Sequence, residues 1–227
     1  MINPKDKVEI TMKLYLNCKF RQNTKFNSFT DEQIKGMKWL FAKMYSDIIN
    51  ERGSKIILGD KERSVLAYIF DWMICSASFS GDVKKGLYLM CGQGFGKDVF
   101  LKAITNFFEY FGKYFKDYTF HNFNIDWYEK GQVFFNMPIK INDISEKGRI
   151  KRERESIPFL EFLDYREQIN NRRGIIVSSN FGAKKLQDTL EYDSTNPRLL
   201  ERIKEVFNLV IIENVESKRI ENKVIIK

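Results

Sequence analysis

The sequence predicts an α/β fold: a five-stranded parallel sheet with helices on both faces, three layers in all, preceded by a helical segment. Three observations carry this. From Lys85 onward short apolar runs alternate with longer amphipathic stretches, the pattern of strand–helix–strand units. Before that point apolar residues recur at intervals of three and four. A glycine-rich turn, Cys91-Gly92-Gln93-Gly94-Phe95-Gly96-Lys97-Asp98, directly follows the first apolar run, and in open parallel sheets ligands bind at that end of a strand.

The helical segment is read over about residues 1–80. Thr30-Asp31-Glu32-Gln33 forms a capping box. Ile34, Met37, Leu40, Phe41, Met44, Tyr45 and Ile48 then make one apolar face, and the helix should end near Gly53. A second helix, from Asp60 to about Ser76, repeats the spacing with Val65, Leu66, Ile69, Phe70, Met73 and Ile74. Its expected role is to pack on the sheet core.

The core is read over 81–214, with a polar tail at 215–227. Strands are expected at 86–90, 118–122, 139–144, 174–179 and 207–213, and helices at about 97–112, 156–171 and 196–206. The charged run Glu146–Glu155 reads as an exposed loop. Tyr110, Tyr114, Phe115 and Tyr118 either pack with Phe100, Ile104, Phe107 and Phe108 or offer faces for stacking on bases. Trp127-Tyr128 is open in the same way.

A chain of 227 residues can bury one sizeable core. Its 43% hydrophobic and 15% aromatic content argues against wholesale disorder. The N-terminus lacks the apolar core of a signal peptide, and no run approaches the roughly 20 apolar residues of a membrane span, so a cytoplasmic protein without membrane contact is expected. Cys18, Cys75 and Cys91 lack metal-site spacing and read as reduced thiols. A single histidine, His121, argues against a histidine-ligated metal or a histidine-based triad. Lys and Arg number 38 against 30 Asp and Glu, a formal charge of +8. That excess suits polyanionic partners, and general surface basicity accounts for it equally well.

The turn at 91–98 is close to a phosphate-binding P-loop, Gly-x-x-x-x-Gly-Lys followed by Ser or Thr. Glycines there let backbone N–H groups converge on phosphate oxygens, and the helix behind adds its positive end. Gly92, Gln93, Gly94, Phe95, Gly96, Lys97, Asp98 and Val99 are the candidate nucleotide-binding residues, with Lys97 reaching the phosphates. Cys91 replaces the first glycine, and Asp98 replaces the hydroxyl that ordinarily ligates magnesium.

A second strand, Ile139-Lys140-Ile141-Asn142-Asp143-Ile144, carries the acidic end that such a site requires. Asn142 stands at the position of the metal-holding acid and Asp143 at that of the water-polarising one. The P-loop gains a carboxylate where the strand loses one. In one reading Asp98 takes over magnesium, with Asn142 and Asp143 beside it. In the other the motif has decayed: a carboxylate about 5 Å from a phosphate charge costs about 3 kcal/mol at an effective dielectric near 20, roughly a hundredfold in affinity.

A third strand, Gly174 to Ser179, ends at Asn180, which can bond an attacking water or a terminal phosphate, or can simply open the turn before Phe181-Gly182. Arg198 and Arg202 lie four apart on one helical face. They could reach a neighbouring subunit's phosphate, or pair with Glu201 and Glu205.

The order of these elements resembles the AAA+ helicase-loader family, the DnaC/IstB-like P-loop ATPases of the ASCE type, over about residues 84–214. Leu160–Arg166 also resembles the helix that precedes sensor 1 there. The resemblance implies a sheet of order 5-1-4-3-2. Lys97 matches the Walker A lysine, Asp143 the second Walker B acid, Asn180 the sensor-1 asparagine, Arg198 the arginine finger and Arg202 the following sensor arginine. It further implies ATP and Mg²⁺ as cofactors, slow ATPase activity, binding of single-stranded DNA, a replicative helicase as partner and assembly into a homo-oligomer. A compact loader with eroded motifs would suit a bacteriophage or mobile element. Cys91, Asp98 and Asn142 depart from the family pattern, which leaves a non-hydrolysing interaction protein on the same fold as the alternative.

Overall fold

A computed structural model describes residues 2–19, 29–53, 59–91, 96–144, 158–180 and 198–212. The N-terminal segment forms α1 (Pro4–Lys19), α2 (Asp31–Glu51) and α3 (Asp60–Met73). Both halves of the expected capping box are present on α2: Thr30 Oγ1 accepts from the Gln33 N–H, and the Gln33 side chain accepts from the Thr30 N–H. After them come β1 (Gly86–Cys91), α4 (Lys97–Tyr110), β2 (Lys116–Thr119), α5 (Phe120–Lys130), a 3-10 turn at Gln132–Asn136 and β3 (Ile139–Ile144). The chain continues with α6 (Pro158–Gln168), β4 (Ile175–Ser179), α7 (Arg198–Val206) and β5 (Phe207–Ile212).

The five strands form one sheet, paired in parallel throughout, in the order β2-β3-β4-β1-β5. Read from the other edge this is 5-1-4-3-2, the expected order. Alternation along each strand divides the core in two. Leu87, Leu89, Ile176 and Val210 face a cluster built with α2, α3 and α4. Tyr88, Met90, Val177, Ile139 and Ile141 face a second cluster with α5, α6 and α7. The result is three layers with the sheet in the middle.

The N-terminal helices share the first cluster with the sheet. Phe41, Tyr45 and Ile48 of α2 join Phe100, Ile104 and Phe107 of α4, with ring centroids 4.9 Å apart for Tyr45–Phe100 and 5.9 Å for Phe41–Phe107. Two polar clamps reinforce this layer. Arg173 donates to the Val83, Trp72 and Met73 carbonyls, closing the end of α3 against the loop before β4. Asn208 accepts from the Asp82 N–H and donates to the Asp82 carbonyl, which pins the approach to β1 onto β5.

One segment differs from the sequence expectation. The strand expected at 118–122 ends at Thr119, and Phe120–Lys130 is helical. Thr119 caps this helix by accepting from the Asn122 N–H at 3.2 Å, and Phe120, Phe123 and Trp127 bury one face in the second cluster. Aromatic residues that favour strands locally are recruited to a helix because the cluster needs their faces on one side. Tyr118 and Phe115 pack inward, whereas Tyr114 is 70% exposed. Glu146–Glu155 and the tail after Ile212 lie outside the described residues. Among the described residues no helix is long and apolar enough to cross a membrane.

Arg166, at the end of α6, is fully buried and donates to the Phe135 and Met137 carbonyls at 2.7 and 3.0 Å. Its guanidinium carbon lies 5.7 Å from the centre of the Phe162 ring. Burial pushes its pKa down from the ordinary arginine value, yet the guanidinium stays protonated because arginine starts so far above neutral pH. It thus closes the carbonyl end of the 3-10 turn that delivers the chain into β3.

Candidate functional site

The site lies at the C-terminal ends of β1, β3 and β4, where parallel sheets place their ligands. A cleft of about 510 Å³ opens there. Lys97 and Asp98 from the start of α4, Asn142 and Asp143 from β3, and Asn180 after β4 all line it. Five residues read as site residues from the sequence are therefore brought together.

Asp143 owes its direction to a break in the sheet. Ile141 pairs with Val177 and Ile144 with Ser179, so three steps on β3 oppose two on β4. The extra residue makes a bulge, and Asp143 takes a left-handed backbone conformation with φ of +54°. A non-glycine residue in that region is uncommon. Here it is held by the Asp143 N–H donating to Ser178 Oγ at 3.1 Å and by Ser179 Oγ donating to the Ile144 carbonyl at 3.0 Å. Bulges re-aim side chains next to active sites, and this one coincides with Asp143 lining the cleft.

Three groups meet at the centre. Lys97 Nζ donates to Asn180 Oδ1 and stands 3.7 Å from Asp143 Oδ1, while Asn180 Nδ2 donates to the same carboxylate oxygen. The Lys97 side chain is 11% exposed and that of Asp143 50%, so the ammonium sits at the floor and the carboxylate opens toward solvent. Gly96 caps α4 with φ of +88°, a conformation suited to glycine.

Asn142 behaves differently from Asp143. Its amide donates to Asp117 Oδ1 on β2, while Asp117 Oδ2 pairs with Lys140 at 2.6 Å. Asp117 and Lys140 are direct cross-strand partners. The Asn142 amide is thereby committed to the neighbouring strand.

The remaining predicted residues are distributed as follows. Gly92, Gln93, Gly94 and Phe95 lie outside the described residues, as does the Arg198 side chain. Val99 is 5% exposed and packs in the first core cluster, and its N–H donates to the Gly96 carbonyl at 2.8 Å. Arg202 joins α7 to α6 by pairing with Asp164 at 2.6 Å, and it also pairs with Glu205 at 2.6 Å. It is not among the residues lining the cleft.

Arg52, Lys102 and Lys140 line the cleft without having been expected there. Lys140 had a local signal, a charge inside the alternating strand 139–144. Lys102 lies five residues beyond Lys97, and Arg52 reaches the site only through the packing of α2 on α4. Together the lining holds four cationic side chains against the carboxylates of Asp98 and Asp143. An excess of positive charge in a concave, partly desolvated site fits a polyanion such as a nucleotide tail. Among the described residues no cluster of three or more His, Cys, Asp or Glu could hold a metal ion by itself. The two carboxylates that line the cleft, Asp98 and Asp143, are of the number magnesium takes when substrate phosphates complete its shell.

The comparisons show the fold: a five-stranded all-parallel sheet between helical layers, shared with solved structures. In particular, the structure is similar to DnaI, at TM-score 0.56 and 20% identity, covering 80% of this chain and 93% of that one. It is also similar to a candidate primosome component from Streptococcus pyogenes serotype M3, at TM-score 0.52 and 20% identity, covering 71% and 84%. A third likeness is to AMPPCP-bound DnaA from Aquifex aeolicus, at TM-score 0.51 and 18% identity, covering 72% of this chain and 50% of that one. No family model and no curated protein matches the sequence.

Proposed function

We propose that this protein is a nucleotide-binding AAA+ protein of DNA replication, acting as a helicase loader with slow, magnesium-dependent ATPase activity. The observation that carries the reading is the Lys97–Asn180–Asp143 arrangement at the strand ends. Lys97 binds the phosphate tail, Asp143 accepts a proton from or orients an attacking water, and Asn180 keeps the two in register. Asp98 and Asp143 are the residues that would hold Mg²⁺, whose chemistry is to neutralise charge on the phosphates. Arg198 and Arg202 act across a subunit boundary in a homo-oligomer; for Arg202 this requires release from Asp164. Single-stranded DNA and a replicative helicase are the proposed partners, in the cytoplasm of a bacterium or of a phage-infected cell.

A second reading is favoured by one specific observation. The Asn142 amide is committed to Asp117, which leaves the metal side of the cleft with Asp98 as its replacement carboxylate. If Asp98 repels phosphate instead of holding a cation, the protein is a non-hydrolysing partner on the loader fold.

Calorimetric titration with ATP, with and without magnesium, on wild type, Lys97→Ala, Asp98→Ala and Asp98→Thr separates the two. Magnesium-dependent binding lost in Lys97→Ala and in Asp98→Ala supports the ATPase reading. Binding that appears only in Asp98→Thr supports the second. Anisotropy with single-stranded DNA tests the loader role, and a salt slope indifferent to ATP would count against it.

A further inference from the structure

Arg52 stands where α2 ends, and its side chain lines the same cleft as Lys97 and Asp98. Packing dictates this approach. The contacts of Tyr45 with Phe100 and of Phe41 with Phe107 run in opposite senses along the two helices, so the C-terminal end of α2 meets the first turns of α4. One residue before Arg52, Glu51 pairs with Lys102 of α4 at 3.4 Å.

The four cations of the cleft are not equivalent. Lys97 lies near Asp143, Lys102 near Glu51 and Lys140 near Asp117. Arg52 has no carboxylate partner among the described residues. It therefore brings to the cleft a planar group with five N–H donors, a geometry that matches phosphate oxygens two at a time.

We propose that Arg52 binds the polyphosphate of the nucleotide held by Lys97, and that the nucleotide thereby fastens the end of α2 to the P-loop helix. The inference rests on the nucleotide reading above and extends it. A ligand gripped at once by α4 and by α2 reports its presence to the N-terminal helices within one chain, without a neighbouring subunit. The coupling is reciprocal: a partner that draws α2 away from the cleft weakens nucleotide binding by the same factor.

The test is ATP titration of the full chain by calorimetry, with amide hydrogen exchange over residues 45–53 at saturating ATP. Arg52 is exposed at a helix end, so Arg52→Gln is expected to keep the wild-type melting curve. It should weaken ATP binding about tenfold, the scale of a lost charge-assisted hydrogen bond, and Arg52→Lys should weaken it less. ATP should slow exchange over 45–53 in wild type and not in saturated Arg52→Gln. The double variant Arg52→Gln/Asp98→Ala separates phosphate contact from mere compensation of Asp98. Against the Asp98→Ala background the loss persists if Arg52 touches phosphate, and a loss that vanishes there overturns the inference. Unchanged affinity in Arg52→Gln beside a defective Lys97→Ala overturns it alone. Wild type that fails to bind ATP, or Lys97→Ala that binds equally well, sinks the nucleotide reading and this inference with it.

Discussion

Lys97 and Asp143 stand 3.7 Å apart with Asn180 bonded to both, its oxygen accepting from the ammonium and its amide donating to the carboxylate. Strand-end groups that would serve a nucleotide thus satisfy one another first. On the proposed reading an entering phosphate would compete with Asn180 and Asp143 for Lys97, and the Asp143 carboxylate would then be free to take a water. Asn180→Ala should therefore leave ATP affinity within about threefold of wild type while lowering turnover about a hundredfold, the scale of a lost positioning group. Steady-state hydrolysis measured beside equilibrium binding checks this, and a loss confined to affinity would contradict it.

Asp98 is exposed at the cleft, so its repulsion of a phosphate is screened well below the unscreened Coulomb figure. Asp98→Ala should tighten ATP binding several-fold in EDTA and abolish the further gain from magnesium. Titrations in EDTA and in magnesium chloride read the two effects separately. Equal magnesium dependence in both proteins would remove Asp98 from the metal's surroundings.

Arg166 is buried without a carboxylate partner among the described residues, and it holds the carbonyls of Phe135 and Met137. Arg166→Ala should destabilise the fold by about 3 kcal/mol, because it opens a void and strips one buried and one partly buried carbonyl of their donor. Urea unfolding gives the number. Arg166→Met, which fills the void without supplying donors, should recover only part of the loss.

Burial, and to a lesser extent the charge of Glu62, pushes the Tyr45 phenol from its ordinary value of 10.0 up to about 12. Burial also raises Tyr88. Between pH 10 and 12 the unfolded chain has released the Tyr45 proton and the folded chain still holds it, so stability is full below pH 10 and is lost as pH rises through that window. Tyr45→Phe should reduce the pH dependence across the window and leave the share that Tyr88 and Tyr118 contribute, as denaturant melts at pH 9 and 11 would show.

Much of the architecture was legible. The runs at 86–90, 139–144 and 174–179 are apolar where the sheet buries them, and Thr30 announced α2 because a capping box is local chemistry. The helix after Thr119 was hidden: Phe120, Phe123 and Trp127 have helical spacing, but they are strand-prone and directly follow Tyr118. At the site, Lys97, Asp98, Asn142, Asp143 and Asn180 could be named because each sits at a fixed offset from a strand end. Arg52 could not be, since its place depends on how α2 packs on α4, a relation between residues about fifty apart. The tie between Asn142 and Asp117 was missed for a different reason: the second strand was expected to begin at Tyr118, which left Asp117 outside it.

The bulge at Asp143 carries an evolutionary consequence. Since three residues of β3 span the distance of two on β4, losing a single residue between Ile141 and Ile144 would restore an unbroken ladder and relieve the left-handed backbone. The sheet could then gain regularity while the strand-end carboxylate lost its aim. A one-residue deletion in this stretch is therefore a mutation that would cost the cleft Asp143 without costing the sheet its ladder.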